Sequence, residues 1–410
     1  MKTWKYALGA LGTALLVAGC GGGGGETSTA NTQGFNSLVS FGDSLSDVGT
    51  YNVGTVKALG GGKWTVNSPT AKNWTELIAD QYKLPAPCPA QTGLPSVLFP
   101  GFTGAPVVPA ATCRNYAQGS SRVTSPFGPS SLAIQNAVFA TFGGTAGNPT
   151  STVAAANAAG LGVMAVPVVT QMNTHLTNAG GSYSGKELVT VLAGGNDTFL
   201  NLNGVSSAAA GGPGAVGAAQ FAGWTITPSL QGTLFGGGTT ATNAAAQAAV
   251  QGMAQAGTEL AGYIKTLVLA KGAKYVAVVN LPDVGLTPFA LGFDPATKGL
   301  LGTMINAYNS ALQSGLAGVS GVVLIDAYTQ SRDQAANPAQ YDLSNVTTPA
   351  CSKTSPANPL KGSSLTCTAS SLIAGDTSKY QYADDVHPTP YGYKLLAQLV
   401  TNKLIAAGWQ

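Results

Sequence analysis

The sequence predicts an α/β protein, a three-layer α/β/α sandwich around a mostly parallel sheet with long loop insertions. Short apolar runs recur along the chain and end at turns rich in glycine, aspartate or proline, as buried strands do. Two of the later runs each follow a long stretch of helical apolar spacing, and strands joined by such crossovers run parallel. Between these elements lie three stretches rich in Gly, Pro, Ser and Ala, which are expected to wall or cover a site or to be poorly ordered.

In chain order, Lys2 and Lys5 precede an apolar run from Ala7 to Ala18, which ends in Val17-Ala18-Gly19-Cys20. Charge, short apolar run and small residues before a cysteine read as an export signal with a lipidation site. The run is shorter than the ~20 residues that span a membrane. The expectation is a cleaved signal over residues 1–19, a lipid on Cys20, a flexible Gly-led tether over 20–33 and one globular domain over 34–410. A plainer alternative is an ordinary secretory signal with an incidental Cys20. The lipidated reading places the protein on a bacterial cell envelope, in contact with a membrane through its N-terminal lipid. Gly21 after Cys20, in place of an aspartate that would retain it at the inner membrane, favours the outer membrane.

Phe35 to Phe41 reads as a buried strand that stops at Gly42-Asp43-Ser44. Trp74, Leu77, Ile78 and Tyr82 give helical spacing over Asn73 to Tyr82. Leu188 to Ala193 is a second strand, and Tyr275 to Leu281 and Gly321 to Ala327 are a third and fourth, preceded by helical patterns at Asn243 to Lys271 and Lys298 to Leu316. The insertions are Pro85 to Thr112, Asn201 to Thr242 and Arg332 to Lys379. In such sheets ligands sit beyond the carboxyl ends of the strands, where Ser44 and Asn196 fall.

Hydrophobic residues make up 44% of the chain, enough for a sizeable core. Charged residues are only 9%, the net charge is +3 and no Lys/Arg cluster occurs, which argues against nucleic acid as a partner. Nothing in the sequence sets the oligomeric state. With Cys20 assigned to the lipid, Cys88, Cys113, Cys351 and Cys367 remain, and an even number in an exported chain points to disulfides. Proximity favours Cys88 with Cys113 and Cys351 with Cys367 among three connectivities. With two histidines and no C-x-x-C pair, no metal site is expected, and no organic cofactor is implied.

Four stretches carry chemistry. Phe41-Gly42-Asp43-Ser44 places a hydroxyl on the first turn after a strand, clear of the sheet and beside backbone N–H groups that can hold an anion. By itself Gly-Asp-Ser is also an ordinary turn. A serine needs a base, and His387 in Asp384-Asp385-Val386-His387-Pro388 has a carboxylate three residues before it that can turn back onto the ring. The bland alternative is a helix start capped by Asp384 or Asp385, with Pro388 just inside. His175 has no carboxylate near it in sequence and reads as a helical surface or packing residue. Asn196, after a strand and Gly194-Gly195, can project a side-chain amide into the same crevice, and the backbone of Asn115 to Ser120 can add a further donor. Gly212 to Gly217 fits G-x-G-x-x-G but follows no strand, so it is not read as a nucleotide site.

Together these stretches resemble the GDSL/SGNH hydrolase family, from about Ser37 to Gly392. The first is similar to its G-D-S-L block, Asn115-Tyr116-Ala117-Gln118-Gly119-Ser120 to its N-Y-A-x-G-G block, Gly194 to Asp197 to its G-x-N-D block and Asp384 to Thr389 to its D-x-x-H-P-T block. Asn280 to Pro288 looks like the family's segment between the last two. The resemblance implies a flavodoxin-like fold, with Ser44 as nucleophile and first oxyanion N–H, His387 as base, Asp384 as its orienter and Asn196 as side-chain oxyanion donor. Ser120 stands where the family has glycine; its backbone N–H can still serve, with Gly119 as the alternative donor. The implied activity is hydrolysis of carboxylic esters, lipid or small, through an acyl-serine. Acyl transfer and glycan O-deacetylation by the same residues, or an inert surface-binding lipoprotein, are the alternatives.

Overall fold

The structure, a computed structural model, describes residues 31–94, 101–126, 128–129, 165–221 and 224–410. The signal segment, Cys20 and most of the tether lie outside the described residues. Among the described residues no helix is long and apolar enough to cross a membrane.

Among the described residues four strands form the central sheet: β1 (Ser37–Gly42), then, after the antiparallel pair β2 (Gln91–Leu94) and β3 (Ala105–Pro109), β4 (Glu187–Leu192), β5 (Tyr275–Val279) and β6 (Val322–Ile325). Their order is β1-β4-β5-β6 and every neighbouring pair is parallel. Beyond β1 the segment around Asn115 adds a short parallel stretch: Ser40 N–H donates to Arg114 O and Ser40 O accepts from Tyr116 N–H.

Alternation along the strands builds two cores, because successive side chains point to opposite faces. Val39, Phe41, Val189, Val191, Val276 and Val278 pack on one face, and Leu38, Leu188, Leu192, Ala277, Val279 and Ile325 on the other. The register sets Val39 beside Val189, Val189 beside Val276 and Val276 beside Val322, so the first face is a continuous apolar surface, while the second holds one buried polar pair, the Ser40 and Thr190 hydroxyls, 2.7 Å apart. Against the second face lie α1 (Trp74–Gln81), through Trp74 and Ile78, and the C-terminal helix Pro390–Ala406, through Tyr393, Ala397, Val400 and Leu404. The first face is covered by α2 (Val168–Asn178), α3 (Gly195–Ala210), α4 (Gly212–Phe221), α5 (Gly238–Tyr263) and α6 (Pro295–Leu316). The result is the expected three-layer sandwich.

The start of α1 follows from local chemistry. The Asn73 side chain accepts from Thr75 and Glu76 N–H while Glu76 returns a carboxylate to Asn73 N–H, a reciprocal cap. The last helix is capped by Thr389, whose hydroxyl accepts from Gly392 N–H, with Pro390 at its first position. The cap of this helix therefore falls to Thr389, and not to Asp384 or Asp385 as the alternative reading of that stretch had it.

The insertion over 201–242 is a correction to the sequence reading. Much of it is helical: α3 continues to Ala210, α4 follows, and α5 begins at Gly238. Alanine is the best helix former, and Ala241, Ala245 and Ala249, one turn apart, are fully buried where small side chains let helices approach closely. Gly212 to Gly217 lies in α4 and follows a helix. The 332–379 insertion opens in α7 (Ala327–Ala336), which makes the helix at Pro390–Ala406 α8, and continues as an ordered loop with short 3-10 turns.

Both expected disulfides are present, Cys88–Cys113 and Cys351–Cys367. No group of three or more potential metal ligands occurs among the described residues.

Candidate active site

Ser44 stands two residues past the end of β1. That strand end is gripped by Gln171 of α2, whose side chain accepts from Gly42 N–H at 2.9 Å and donates to Gly42 O at 2.8 Å. A side chain at Gly42 cannot be accommodated, since a Cβ there would lie 2.2 Å from Leu192 O. The following turn is pinned by carboxylates. Asp43 accepts from Leu45 N–H, and Asp47 accepts from Gly49 and Thr50 N–H with one oxygen and from Gly119 N–H with the other, at 3.0 Å. Asn115 donates to Ser46 O, tying the same turn to the edge stretch.

His387 arrives from the loop before α8. Its Nε2 lies 2.8 Å from Ser44 Oγ, and its Nδ1 lies 2.8 Å from both oxygens of Asp384. A carboxylate on Nδ1 places the ring proton there and leaves Nε2 as an acceptor toward the serine. Asp384 also accepts from the N–H groups of Ser364, Val386 and His387. Burial pushes its pKa up, but the opposite charge of His387 and these hydrogen bonds outweigh burial and hold the carboxyl well below the ordinary range. Asp385 points elsewhere, pairing with Lys353 at the surface.

Asp43 behaves in the opposite way. Buried beside Ser44, it is pushed up to about 7 by desolvation, with Asp197 adding to the rise and the Leu45 N–H and His387 opposing it. Two neighbouring carboxyls thus sit in contrasting environments, one stabilised as an anion and one not.

Asn196 lies in the first turn of α3 and lines the same cleft as Ser44 and His387. Its Nδ2 donates to Ser121 O at 2.8 Å, a bond that uses one of its two hydrogens. The next residue, Asp197, accepts from Arg122 Nε at 2.8 Å and from Val123 N–H at 3.1 Å. Successive side chains of α3 therefore hold the strap 121–123, and with it Ser120, at the cleft edge. Ser120 adopts a left-handed φ of +68°, which explains why glycine suits this position. Gly119 is glycine of necessity, because a Cβ would meet the Trp64 ring at 2.5 Å.

The cleft has a volume of about 180 Å³. Ser44, Ser120, Asn196 and His387 form its polar end, and Trp64, Phe199, Leu281, Pro282 and Val284 supply apolar walls. The Asn280 to Pro288 segment thus contributes Leu281, Pro282, Val284 and Thr287 to the wall, while Asp283 pairs with Arg332 at 2.6 Å. His175 is 1% exposed and packs among Phe41, Tyr116 and Tyr183, away from the cleft residues, as a packing residue.

Sequence reasoning passed over Gln171, Asp47 and Trp64. Trp64 packs against His387 with ring centroids 4.8 Å apart and the planes tilted by 31°. Its signal in the sequence is slight, an aromatic after Gly60-Gly61-Gly62-Lys63 in a stretch without periodicity. Gln171 looks like any polar residue on a helix until the fold places it against Gly42.

Comparison with known proteins points the same way. Esterase EstA of Pseudomonas aeruginosa and that of Pseudomonas putida are each 31% identical to this chain over 144 residues, 34% of this chain and 21% of theirs. A GDSL esterase/lipase of Arabidopsis thaliana is 27% identical over 142 residues, 32% of this chain and 37% of its own length. The matched stretches thus span a fifth to a little over a third of those relatives. The sequence profile described as GDSL-like lipase/acylhydrolase, by contrast, matches residues 38–400, which include all four motif blocks and every side chain of the cleft described above. This chain belongs to the GDSL-like lipase/acylhydrolase family.

Proposed function

We propose that this protein is a serine esterase that hydrolyses carboxylic esters through an acyl-Ser44 intermediate. The observation that carries this reading is the unbroken hydrogen-bonded chain Ser44 Oγ, His387 Nε2, His387 Nδ1, Asp384 at the polar end of an apolar cleft.

In the first half-reaction Ser44 Oγ attacks the ester carbonyl carbon as its proton passes to His387 Nε2. Asp384 keeps the ring in the productive tautomer and stabilises the imidazolium. The carbonyl oxygen, now an anion, is held by the N–H groups of Ser44 and Ser120 and by the second hydrogen of Asn196 Nδ2. Gly119 is the weaker choice, because its N–H is committed to Asp47. Collapse of the tetrahedral adduct breaks the C–O bond to the alcohol, which leaves with the proton from Nε2. Water then attacks the acyl-serine with His387 again taking the proton, releasing the carboxylic acid and restoring Ser44. The apolar residues Trp64, Phe199, Leu281, Pro282 and Val284 suit the acyl chain.

The reading extends to location. Residues 1–19 are proposed as an export signal, residues 20–33 as a tether with a lipid on Cys20, and residues 34–410 as the catalytic domain, held on the envelope at an outer membrane. Cys20→Ser should release the protein from membranes; unchanged membrane fractionation with no lipid on Cys20 by mass spectrometry would remove the anchor. For the activity, a p-nitrophenyl ester series from acetate to palmitate is expected to show turnover across part of the range. Absence of turnover on every member would overturn the esterase reading.

A further inference from the structure

The Cys351–Cys367 disulfide lies behind the acid–base pair. Both half-cystines are essentially fully buried and pack on Ala383, the residue before Asp384. The segment they close is joined to the stretch that leads into the acid by Ala350 N–H to Tyr382 O and Cys351 N–H to Ala383 O, at 3.0 and 2.8 Å. Within it Ser364 donates its backbone N–H to Asp384 Oδ2 at 2.9 Å.

The same segment reaches the other side of the imidazole. Asn67 donates its side-chain amide to Ser364 O and Cys367 O, Asn67 N–H donates to Cys367 O, and Gly62 N–H donates to Leu365 O. Between Gly62 and Asn67 stands Trp64, whose ring covers His387. One disulfide-closed loop therefore supports both the carboxylate bonded to Nδ1 and the aromatic ring packed against the imidazole.

We propose that the segment 351–367 is a positioning element for Asp384 and His387, with the Ser364 peptide as its contact to the acid and the Trp64 loop as its contact to the base. This rests on the reading of those two residues as an acid–base pair. A carboxylate must keep a fixed orientation to hold an imidazole in one tautomer, and the Ser364 N–H on Oδ2 restricts that orientation further than the Val386 and His387 N–H groups on Oδ1 do by themselves. The disulfide restricts the loop that carries the donor.

Two substitutions at one position separate positioning from packing. Ser364→Ala keeps the N–H and removes only a buried hydroxyl beside the Asp384 carboxylate. Ser364→Pro deletes the donor and sets a ring against the carboxylate. It falls at the first position of a 3-10 turn after an extended Ser363 (φ −57°, ψ 133°), where a proline backbone is tolerated. Cys351→Ala with Cys367→Ala loosens the whole segment. In the full-length chain, kcat and KM on p-nitrophenyl acetate are read beside the low-field proton resonance of the hydrogen shared by His387 Nδ1 and Asp384. Ser364→Pro and the cysteine pair variant should lose about tenfold or more in kcat at nearly unchanged KM, with the low-field line shifted or broadened, and Ser364→Ala, which keeps the N–H, should lose clearly less. Parent-like kcat and an unmoved line in either of the first two would overturn the proposal; if Ser364→Pro fails to fold, the cysteine pair variant decides. Failure of the esterase reading would show separately, as activity indifferent to Ser44→Ala, because the proton line reports on the pair without any turnover.

Discussion

Asp384 Oδ1 accepts two hydrogen bonds from a single residue, the backbone N–H and the Nδ1–H of His387, both at 2.8 Å. The three-residue spacing is what makes this possible: the chain turns once, and the carboxylate caps the turn while it meets the ring. The motif is thus a folding unit as well as a chemical one, and the Ser364 N–H on Oδ2 adds a hold from outside it.

That geometry separates two adjacent acids. Asp384→Asn should lower kcat by well over tenfold, because an amide facing Nδ1 permits the wrong tautomer, an effect that reaches about 10⁴ in serine proteases. Asp385→Asn should change kcat by less than about threefold, since Asp385 faces solvent and Lys353. Steady-state kinetics on one p-nitrophenyl ester tests both; the reverse order of effects would transfer the role to Asp385.

Ser120 makes a second test, because its left-handed φ of +68° costs a residue with a side chain about 1–2 kcal/mol. Ser120→Gly removes that strain but adds freedom to the unfolded chain, so stability should be unchanged or higher by up to ~1 kcal/mol, and activity should persist because the N–H remains. Ser120→Val should lose about 2 kcal/mol or more. Urea denaturation of the three proteins measures this, and a Gly variant clearly less stable than the parent would contradict it.

His175 governs part of the response to acid. Desolvation, helped by Arg114 and opposed by Glu187, lowers its pKa to about 4. A histidine depressed in the folded state is neutral in both states above the ordinary value of about 6.5, and as pH falls below that value the unfolded chain takes up a proton that the folded one resists. Stability is therefore lost between about 6.5 and 4, by up to ~3 kcal/mol. His175→Phe, which fits the aromatic cluster and does not titrate, should flatten the fall in denaturation free energy between pH 7 and 4. Parallel curves for parent and variant would refute the assignment.

Much of this molecule was legible in its sequence, for physical reasons that also explain the gaps. Phe35 to Phe41 and Leu188 to Ala193 announced themselves because both faces of a parallel strand are buried, so apolar residues run almost without interruption. The disulfides followed from an even cysteine count and proximity. The helices over 201–242 were read as loop because alanine and glycine carry no amphipathic pattern; only packing shows that small side chains serve close helix contact there. Trp64 and Gln171 were invisible because each meets its partner, His387 or Gly42, across more than a hundred residues of chain, a juxtaposition that only the fold creates. The departure at Ser120 was legible, but its strained backbone was not.

The central claim is that Ser44 is the nucleophile. The most direct test exposes the parent and Ser44→Ala to a fluorophosphonate, locates any adduct by mass spectrometry and measures p-nitrophenyl ester hydrolysis in both. The account predicts one phosphonyl group on Ser44 of the parent with complete loss of its activity, no label on the variant, and variant turnover reduced by about a thousandfold or more with the fold intact. Hydrolysis by Ser44→Ala close to that of the parent, or an adduct on another residue that accompanies inactivation, would contradict it.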